Sequence, residues 1–482
     1  MKNIYTKLLF LGFIFLGLTS CENYLGDDFN DNPNKVTEVS LQAMLPVAIE
    51  STSDLHYRIA FTTSQVTQHM YGGGASDHDV FTLASSWSEA YLISMNNSSQ
   101  LIIQAQEENL PHYEGMAQVL MALNLGLVTD NWENAPFNEA FNDFDIPKPA
   151  YDSQESIYAS ITSLLNDGIA NLSTPDVEFL EPDSDDLIYG GDMASWVKFA
   201  YTLKVRYAIH LSNKGGSAAS DALSALGNAF TSNDDDFELV YNDVNRNPWH
   251  TTPVLANNTG NISIWPGAYF IDNLNGVNFP LAGLIEDPRV RVITNTTADN
   301  ILEPITGGTL DGNIIGNANL DEGTYYTTES APLSMVSYAE LKFIEAEAEM
   351  MSGNSNNAYD AYLEGIVANM DKVGVDTTSR NVYLADANVA VGSGALTMAL
   401  IMKEKYIALF LNPEAWVDMR RHAYSTTIYP NLAPPPPGIQ SPDVPIGGFP
   451  QRALYPLDEY NRNNDNATAA TKDFAAKMWR DQ

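Results

Sequence analysis

The feature that most constrains the fold is a series of capped segments whose apolar residues recur every three or four positions. In DSQESIYASITSLLNDGIANL, the residues Ile157, Ile161, Leu165 and Leu172 share one helical face. The segment starts at Asp152 and carries a glutamate three residues later, which is the pattern of a capping box. Each such amphipathic helix has one apolar face to bury, so the chain must supply packing partners for it.

The same pattern recurs along the chain and predicts helices in neighbouring pairs. Residues 192–212 begin at the cap Asp192, and residues 337–353 begin at Ser337 and end at Gly353. Further helices are expected near residues 40–70, 87–108, 112–130 and 355–372. Neighbouring helices of this kind favour antiparallel hairpins packed side by side, so we expect a mainly α-helical protein.

A proline separates two of the predicted helices. Pro413 stands within residues 395–421, where it cannot occupy the interior of a single helix. It suits the first turn of a second helix, for which Asn412 supplies the cap.

Two stretches lack helical periodicity and are rich in Asn, Gly, Thr and Pro, namely residues 233–335 and 424–460. Short apolar pieces within them, such as FELVY, predict short β strands in long loops. Long ordered loops on a rigid scaffold are where binding commonly occurs. We therefore expect a helical body with one irregular face that carries the ligand site.

The N-terminal segment combines a positive start, a short apolar run and the single cysteine of the chain. Lys2 and Lys7 flank the start of the apolar residues 8–18, a run too short to cross a bilayer. The sequence LTSC that follows resembles a bacterial lipobox, in which the cysteine becomes the acylated first residue of the mature protein. We therefore expect Cys21 to carry lipid, including palmitate-type acyl chains.

This N-terminal segment sets the expected domain organisation: a signal peptide over 1–20, a lipidated acidic tether over 21–36 and a single domain over 37–482. Because Cys21 is the only cysteine, disulfides are excluded. Each buried methylene of a lipid anchor contributes about 0.8 kcal/mol to membrane binding. The formal net charge of −37 would repel nucleic acid, which we exclude as a partner.

Six segments spread along the chain resemble the sequence signature of one known family. They are DDFNDNPNKVTEVSLQAMLPVA (27–48), GMAQVLMALNLGLVTDNWENAPFNEAF (115–141), WVKFAYTLKVRYAIHLS (196–212), SYAELKFIEAEAEMMSG (337–353), KEKYIALFLNPEAWVDMRR (403–421) and FPQRALYPLDEYNRNNDN (449–466). In this order, behind a lipobox, they resemble the SusD/RagB family, and most closely its SusD-like type two branch. The chain departs from that family after a Thr-Asp turn, where NWENAPF replaces a segment that often contains glycine.

The resemblance implies a body of tetratricopeptide-like helix pairs with short strands and long loops on one face. It also implies a lipoprotein anchored in the outer membrane and exposed at the cell surface. The partner in that family is a TonB-dependent β-barrel of the SusC type, to which the lipoprotein delivers oligosaccharide without catalysis.

The residues themselves supply no pattern of catalytic groups. The chain lacks the His-Glu-x-x-His, Gly-x-Ser-x-Gly and phosphate-binding loop motifs, and its seven histidines have no metal-ligand spacing. No cofactor or metal is expected, apart from a structural calcium ion as an open alternative. The residues Asp243, Asn245 and Asn247 alternate, and acids cluster at 183–186 and 234–238. A proline follows Asn247 where an EF-hand loop requires glycine, which disfavours that class of calcium site.

Sugar binding would use aromatic rings that stack on the apolar face of a pyranose and polar side chains that meet its hydroxyls. We assign Trp132, Trp196 and Trp416 to packing and Trp479 to the terminus, so the other three of the seven tryptophans are candidates. The candidate ligand residues are Trp87, Trp249, Trp265 and Tyr269 as stacking rings and Asp77, His78, Asn96 and Asn257 as hydroxyl partners.

Three functions remain open from the sequence. The first is a non-catalytic surface protein that captures oligosaccharide for a barrel transporter. The second keeps the same complex but imports peptides, for which the negative charge suits cationic cargo. The third is a surface glycosidase, which needs two carboxylates at a set separation in space, and with 61 acidic residues the sequence cannot test that separation.

Overall fold

Helices dominate the computed structural model, as the periodicity predicts. The structure describes residues 39–72, 83–142, 145–175, 180–256, 259, 264–294, 320, 323–434 and 448–482. The described α-helices are α1 (Leu41–Val66), α2 (Ala84–Glu89), α3 (Met95–Glu108), α4 (Pro111–Trp132), α5 (Gln154–Leu172), α6 (Met193–His210), α7 (Ala218–Ala225), α8 (Ala268–Leu274), α9 (Val290–Ile293), α10 (Tyr338–Met351), α11 (Ser355–Val373), α12 (Thr377–Leu384), α13 (Met398–Ala408), α14 (Glu414–Arg421), α15 (Leu457–Arg462) and α16 (Asn464–Ala470). The strands are β1 (Met70–Tyr71), β2 (Phe237–Leu239), β3 (Trp265–Pro266) and β4 (Leu333–Val336), and π-helical turns occupy Ala90–Ser94 and His250–Ala256. These elements belong to one compact unit, Leu41–Gln482.

Side-chain caps fix the starts of two long helices where the sequence predicts them. The carboxylate of Asp192 accepts a hydrogen bond from the amide of Ala194 at 3.0 Å, before α6. The hydroxyl of Ser337 accepts one from the amide of Glu340 at 3.2 Å, before α10. Each bond satisfies an amide that has no partner within its own helix.

The predicted cap of α5 is wrong by one residue. Ser153, with an extended backbone, caps the helix by accepting from the amide of Ser156 at 3.2 Å. Asp152 instead turns its carboxylate towards the preceding loop and accepts from the amides of Phe137 and Asn138, both at 2.9 Å. The acid therefore orders that loop and does not start the helix.

Two further predicted helix boundaries can be compared with the structure: the start of α14 and the end of α4. Asn412 accepts from the amide of Glu414 at 3.0 Å, and α14 begins directly after Pro413, as predicted. The expected Thr-Asp turn at residues 129–130 is wrong, because α4 continues through both residues to Trp132.

Consecutive helices pack against each other, including α4 with α5 and α10 with α11, which confirms the predicted tetratricopeptide-like pairs. Two glycines permit the close contact of α4 with α5. A Cβ atom on Gly168 would lie 2.9 Å from Cγ2 of Val119, and one on Gly115 would lie 2.7 Å from Cγ of Leu172. Any side chain at either position would push the two helices apart.

The predicted strands are present in the loop-rich part of the chain and are short. β1 pairs antiparallel with β3, and β2 pairs antiparallel with β4. The strand after α1 and the strand before α10 are thereby each paired with a strand in the loop-rich residues 233–335. Trp132, Trp196 and Trp416 are buried, as expected for packing residues. None of the helices in the described ranges has both the length and the apolar character needed to span a membrane.

Candidate functional site

Four predicted functional residues, Cys21, Asp77, His78 and Asn257, lie outside the described residues. The same applies to the expected signal peptide, 1–20, and to the tether, 21–36. Their roles stay predictions from the sequence.

Trp249, a candidate stacking ring, is buried in this structure. Its ring is 3% exposed and packs beneath α1, with its centroid 5.0 Å from that of Tyr57 in an edge-on contact and 6.2 Å from that of Phe61. Its amide donates to Oδ1 of Asn247 at 2.7 Å, which holds the preceding loop against the helix. A role for Trp249 in ligand binding stays a prediction, but its ring has little free surface in this conformation.

Trp265 and Tyr269, two further candidate stacking rings, are also buried. Trp265 lies in β3 opposite Tyr71, and strand pairing covers it. Tyr269 lies in α8 with its ring centroid 5.6 Å from that of Tyr406, and burial raises the pKa of its hydroxyl. Both rings contribute to the core here, and ligand contact at either one stays untested.

Two predicted residues, Trp87 and Asn96, meet at one cleft of about 480 Å³. Three elements enclose this cleft: the continuous helical segment from Ala84 to Glu108, the loop residues 136–142 and 145–149, and α15. This volume falls in the usual range for small-ligand sites.

The base of the cleft is fixed by one carboxylate, that of Glu459. Its Oε1 accepts the indole N–H of Trp87 at 3.0 Å, and its Oε2 accepts the hydroxyl of Tyr151 at 2.6 Å. The two rings are nearly parallel, at 19° with centroids 6.3 Å apart. Trp87 is 5% exposed, so its polar atom is used internally and the ring serves as a fixed floor.

A second aromatic pair forms the side of the cleft. Tyr91 donates its hydroxyl to the carbonyl of Pro136 at 2.8 Å, and its ring is stacked with that of Phe141 at 19° and 6.3 Å. Burial raises the pKa of Tyr91 well above its ordinary value, with the Glu459 carboxylate as a further cause, so the hydroxyl stays protonated as a donor. Because the hydroxyl is occupied, the pair presents apolar ring surface to the cleft.

Four side chains, three of them polar, line the helical wall of the same cleft at a regular spacing. Ser88, Leu92, Asn96 and Gln100 all face it, four residues apart. Within the described chain neither carboxamide, that of Asn96 nor that of Gln100, has a hydrogen-bond partner. Leu92 is 69% exposed and adds apolar surface to this wall. Ser88, Leu92 and Gln100 were not among the predicted ligand residues, although they follow one another at four-residue spacing in the sequence.

The opposite rim carries charged groups on α15. Asp458 and Arg462 line the cleft and are exposed, and neither has an ion-pair partner among the residues that the structure describes. Asn463 donates to the carbonyl of Pro149 at 2.8 Å and ties this rim to the loop.

A buried cluster of Asp130, His210 and Glu414 has the residue types of a metal site but the geometry of an ion-pair network. Nδ1 of His210 lies 3.3 Å from Asp130 and Nε2 lies 2.9 Å from Glu414, so the two carboxylates contact different nitrogens of the ring. Each carboxylate also faces an arginine, Arg480 at 2.7 Å from Asp130 and Arg206 at 3.6 Å from Glu414. Burial lowers the pKa of His210, but the two carboxylates outweigh it and raise the pKa above its ordinary value. These groups hold helices and the C-terminus together.

Three of the residues considered for calcium have protein partners, namely Asn247, Asp186 and Asp235. Asn247 donates its amide to the carbonyl of Ala331 at 2.8 Å. Asp186 accepts the indole N–H of Trp196 at 2.8 Å, and Asp235 pairs with Lys198 at 2.7 Å. The carboxylates of Asp186 and Asp235 are therefore used in a hydrogen bond and in an ion pair within the protein.

Comparison with protein families gives a match over most of the chain. The SusD-like type two model, described as starch-binding associating with outer membrane, matches residues 33–456. The chain belongs to the SusD-like family. Membership supports a glycan-binding role in nutrient uptake at the outer membrane, and members of the family are binding proteins and not enzymes.

Solved structures share the fold of this SusD-like chain. A SusD/RagB family protein from Bacteroides thetaiotaomicron is 23% identical with a TM-score of 0.76, covering 92% of this chain and 99% of its own. A chitin-binding SusD homologue from Flavobacterium johnsoniae is 20% identical with a TM-score of 0.74, covering 92% and 98%. A SusD homologue from Bacteroides uniformis is 22% identical with a TM-score of 0.72, covering 91% and 99%. Comparison with curated protein sequences finds no match.

Proposed function

We propose that this SusD-like protein is a non-catalytic receptor that captures an oligosaccharide in the cleft beside Trp87, Tyr91 and Asn96. The observation that carries the proposal is the combination, in one cleft, of an apolar aromatic wall and unpartnered carboxamides. Family membership supports the same class of ligand.

The two walls match the two faces of a sugar. A pyranose has an apolar face, and burying it against Tyr91 and Phe141 contributes roughly 25 cal/mol per Å². Its hydroxyls both donate and accept, as do the carboxamides of Asn96 and Gln100. Because Tyr91 is held by the carbonyl of Pro136 and the adjacent Trp87 is held by Glu459, a ligand would meet a largely pre-formed surface, which reduces the entropic cost of binding.

Anchoring and delivery form the finer part of the proposal. Lipid on Cys21 would hold the protein at the outer face of the outer membrane, and a SusC-type TonB-dependent barrel would receive the captured glycan. Mass spectrometry of the mature protein tests the anchor: the proposal requires an acylated N-terminal cysteine, and an unmodified N-terminus elsewhere in the chain would contradict it.

Isothermal titration of the protein against a panel of oligosaccharides and polysaccharides tests glycan capture. At least one glycan should bind, and Leu92→Asp, which places a charge in the cleft, should weaken that binding about tenfold or more. Ile103→Asp is the matched control, because Ile103 is 42% exposed on the same helix but does not line the cleft. The proposal fails if no glycan binds, or if both variants bind as the wild type does.

Peptide import by the same complex is the alternative, and the charged rim favours it. Asp458 offers an unpaired carboxylate beside the aromatic wall, where it would attract a cationic residue of a peptide. Tighter binding of basic peptides than of any glycan would support this alternative. Release of reducing sugar by the purified protein would contradict the non-catalytic assignment.

A further inference from the structure

We propose that Glu133, a buried residue behind the cleft, is a positioning residue for ligand capture. Its carboxylate holds the backbone in a turn that places the wall loop of the cleft, residues 134–141. The inference rests on the proposed function and goes beyond it, because Glu133 itself does not line the cleft.

The backbone at Glu133 has a conformation that an L-amino acid rarely adopts. Its φ of 75° and ψ of −94° lie outside the regions that sterics allow to a residue with a Cβ atom. Glycine has no Cβ atom and adopts the mirror images of the ordinary conformations without that cost. Glu133 belongs to the segment NWENAPF, which departs from a family pattern that often contains glycine. A strained residue of this kind persists only when the surrounding structure holds it in place, and such residues cluster at functional sites.

Three groups of the C-terminal segment hold the carboxylate of Glu133, which is 1% exposed. Its Oε1 accepts from Nζ of Lys472 at 2.9 Å and from the amide of Trp479 at 2.6 Å. Its Oε2 accepts from Nη1 of Arg452. Burial raises the pKa of Glu133, but Arg452 and Lys472 outweigh it and lower the pKa below its ordinary value. Hydrogen bonds to an ionised carboxylate are roughly twice as strong as neutral ones, so these contacts oppose relaxation of the backbone.

The direction that the chain takes after Glu133 decides where the wall loop lies. The carbonyl of Pro136 accepts from the hydroxyl of Tyr91 at 2.8 Å, and the ring of Phe141 is stacked with that of Tyr91. Pro136 and Phe141 both line the cleft. A change of φ and ψ at Glu133 would rotate the whole loop relative to α4 and separate these groups, so the aromatic side of the cleft depends on the turn.

A comparison of alanine with glycine at this position separates the turn from the ion pairs. Both substitutions remove the carboxylate, but only alanine keeps the Cβ atom that makes the turn unfavourable. Glu133→Gly should therefore keep the turn and bind glycan within about threefold of the wild type. Glu133→Ala should relax to another conformation and bind at least fivefold more weakly. A role confined to the ion pairs would give equal losses in the two variants.

Two measurements on the full chain make this comparison. Isothermal titration gives the affinities for four probes, the linear pentasaccharides of α-1,4-glucose, β-1,4-glucose, β-1,4-xylose and β-1,4-N-acetylglucosamine. Amide hydrogen exchange needs no ligand, because the amides of Phe137 and Asn138 donate to the carboxylate of Asp152 while the wall loop holds its position. Exchange at these two amides should be at least fivefold faster in Glu133→Ala and within about threefold of the wild type in Glu133→Gly.

A milder variant keeps the proposal testable if Glu133→Ala does not fold. Lys472 is 40% exposed, so Lys472→Ala removes one partner of the carboxylate without leaving a buried charge. Exchange at the amides of Phe137 and Asn138 should be about threefold faster in this variant than in Lys477→Ala. Lys477 is the matched control, because it is an exposed lysine of the same segment and has no ion pair within the described residues. Equal exchange in the two lysine variants would overturn the proposal.

The other outcomes separate the positioning role from the proposed function. Equal losses of affinity in the alanine and glycine variants, or wild-type exchange in Glu133→Ala, overturn the positioning role and leave glycan capture standing. Faster exchange in Glu133→Ala with unchanged affinity overturns the role in ligand capture. If the wild type binds no glycan, the proposed function fails, and the exchange rates still decide whether Glu133 positions the wall loop.

Discussion

Glu459 offers the sharpest test of how the cleft is built. Replacing it by alanine removes two hydrogen bonds to a carboxylate, each worth about 1.5–3 kcal/mol. Tyr151 is half-buried and can turn its hydroxyl to water, so most of the loss comes from the indole N–H of the buried Trp87. We therefore expect Glu459→Ala to lower the free energy of unfolding by about 2–4 kcal/mol.

The neighbouring residue supplies a matched control for this prediction. Asp458→Ala removes the same negative charge from the same cleft, but Asp458 has no partner in the part of the chain that the structure describes. That variant should stay within about 0.5 kcal/mol of the wild type. Urea unfolding followed by tryptophan fluorescence measures both changes. Equal losses in the two variants would refute the reasoning, because the effect would then be one of charge and not of the hydrogen bonds that fix the rings.

Three further predictions concern the scaffold behind the cleft. Gly126→Ala places a Cβ about 2.0 Å from the hydroxyl of Tyr207 and should cost about 1–3 kcal/mol in urea unfolding. Deletion of Arg480–Gln482 removes the buried guanidinium that pairs with Asp130 at 2.7 Å, and should cost about 3–5 kcal/mol by the same assay. The pKa of His210 is raised in the folded protein, so protonation of this histidine stabilises the fold. The stabilisation is fully present below about pH 6.5, the ordinary pKa of histidine, and is lost as the pH rises through the folded-state pKa. The unfolding free energy should therefore fall as the pH rises above about 6.5, and fall less in His210→Gln.

Each of these three predictions has an outcome that would contradict it, and the first two also have a control variant. Gly394→Ala should be close to neutral because nothing lies within 4 Å of its Cβ, and an equal loss there would remove the steric explanation. Deletion of the exposed Gln482 alone should be tolerated, and a loss similar to that of the longer deletion would show that the buried ion pair is not responsible. An unchanged pH dependence in His210→Gln would contradict the assignment to this histidine.

The fold was largely predictable because its signals are local. Apolar spacing and the caps Asp192 and Ser337 located the long helices within a few residues. The errors arose where tertiary contacts compete with local ones. Asp152 satisfies loop amides instead of capping α5, and α4 continues past the expected turn because Asp130 is held by the buried Arg480 and Tyr158.

The site was predictable only in part, because a single sequence does not show which aromatic rings are covered. Trp249 and Trp265 lie in loop-rich sequence, yet α1 and β1 cover them through contacts with residues far along the chain. Trp87 and Asn96 share a helical segment but stand nine residues apart, which in a regular α-helix places them on opposite faces. The π-helical turn at Ala90–Ser94, which was not predicted, changes this rotation, and both residues line the cleft. The contribution of Glu459, more than 300 residues later, required the structure.

The location of a bound glycan tests the central claim most directly. A crystal structure of the protein with the tightest-binding oligosaccharide from the calorimetric panel should show sugar between the Leu92–Gln100 wall and Arg462, with a ring against Tyr91 or Phe141. Sugar density at another surface, with this cleft filled only by solvent, would contradict the account.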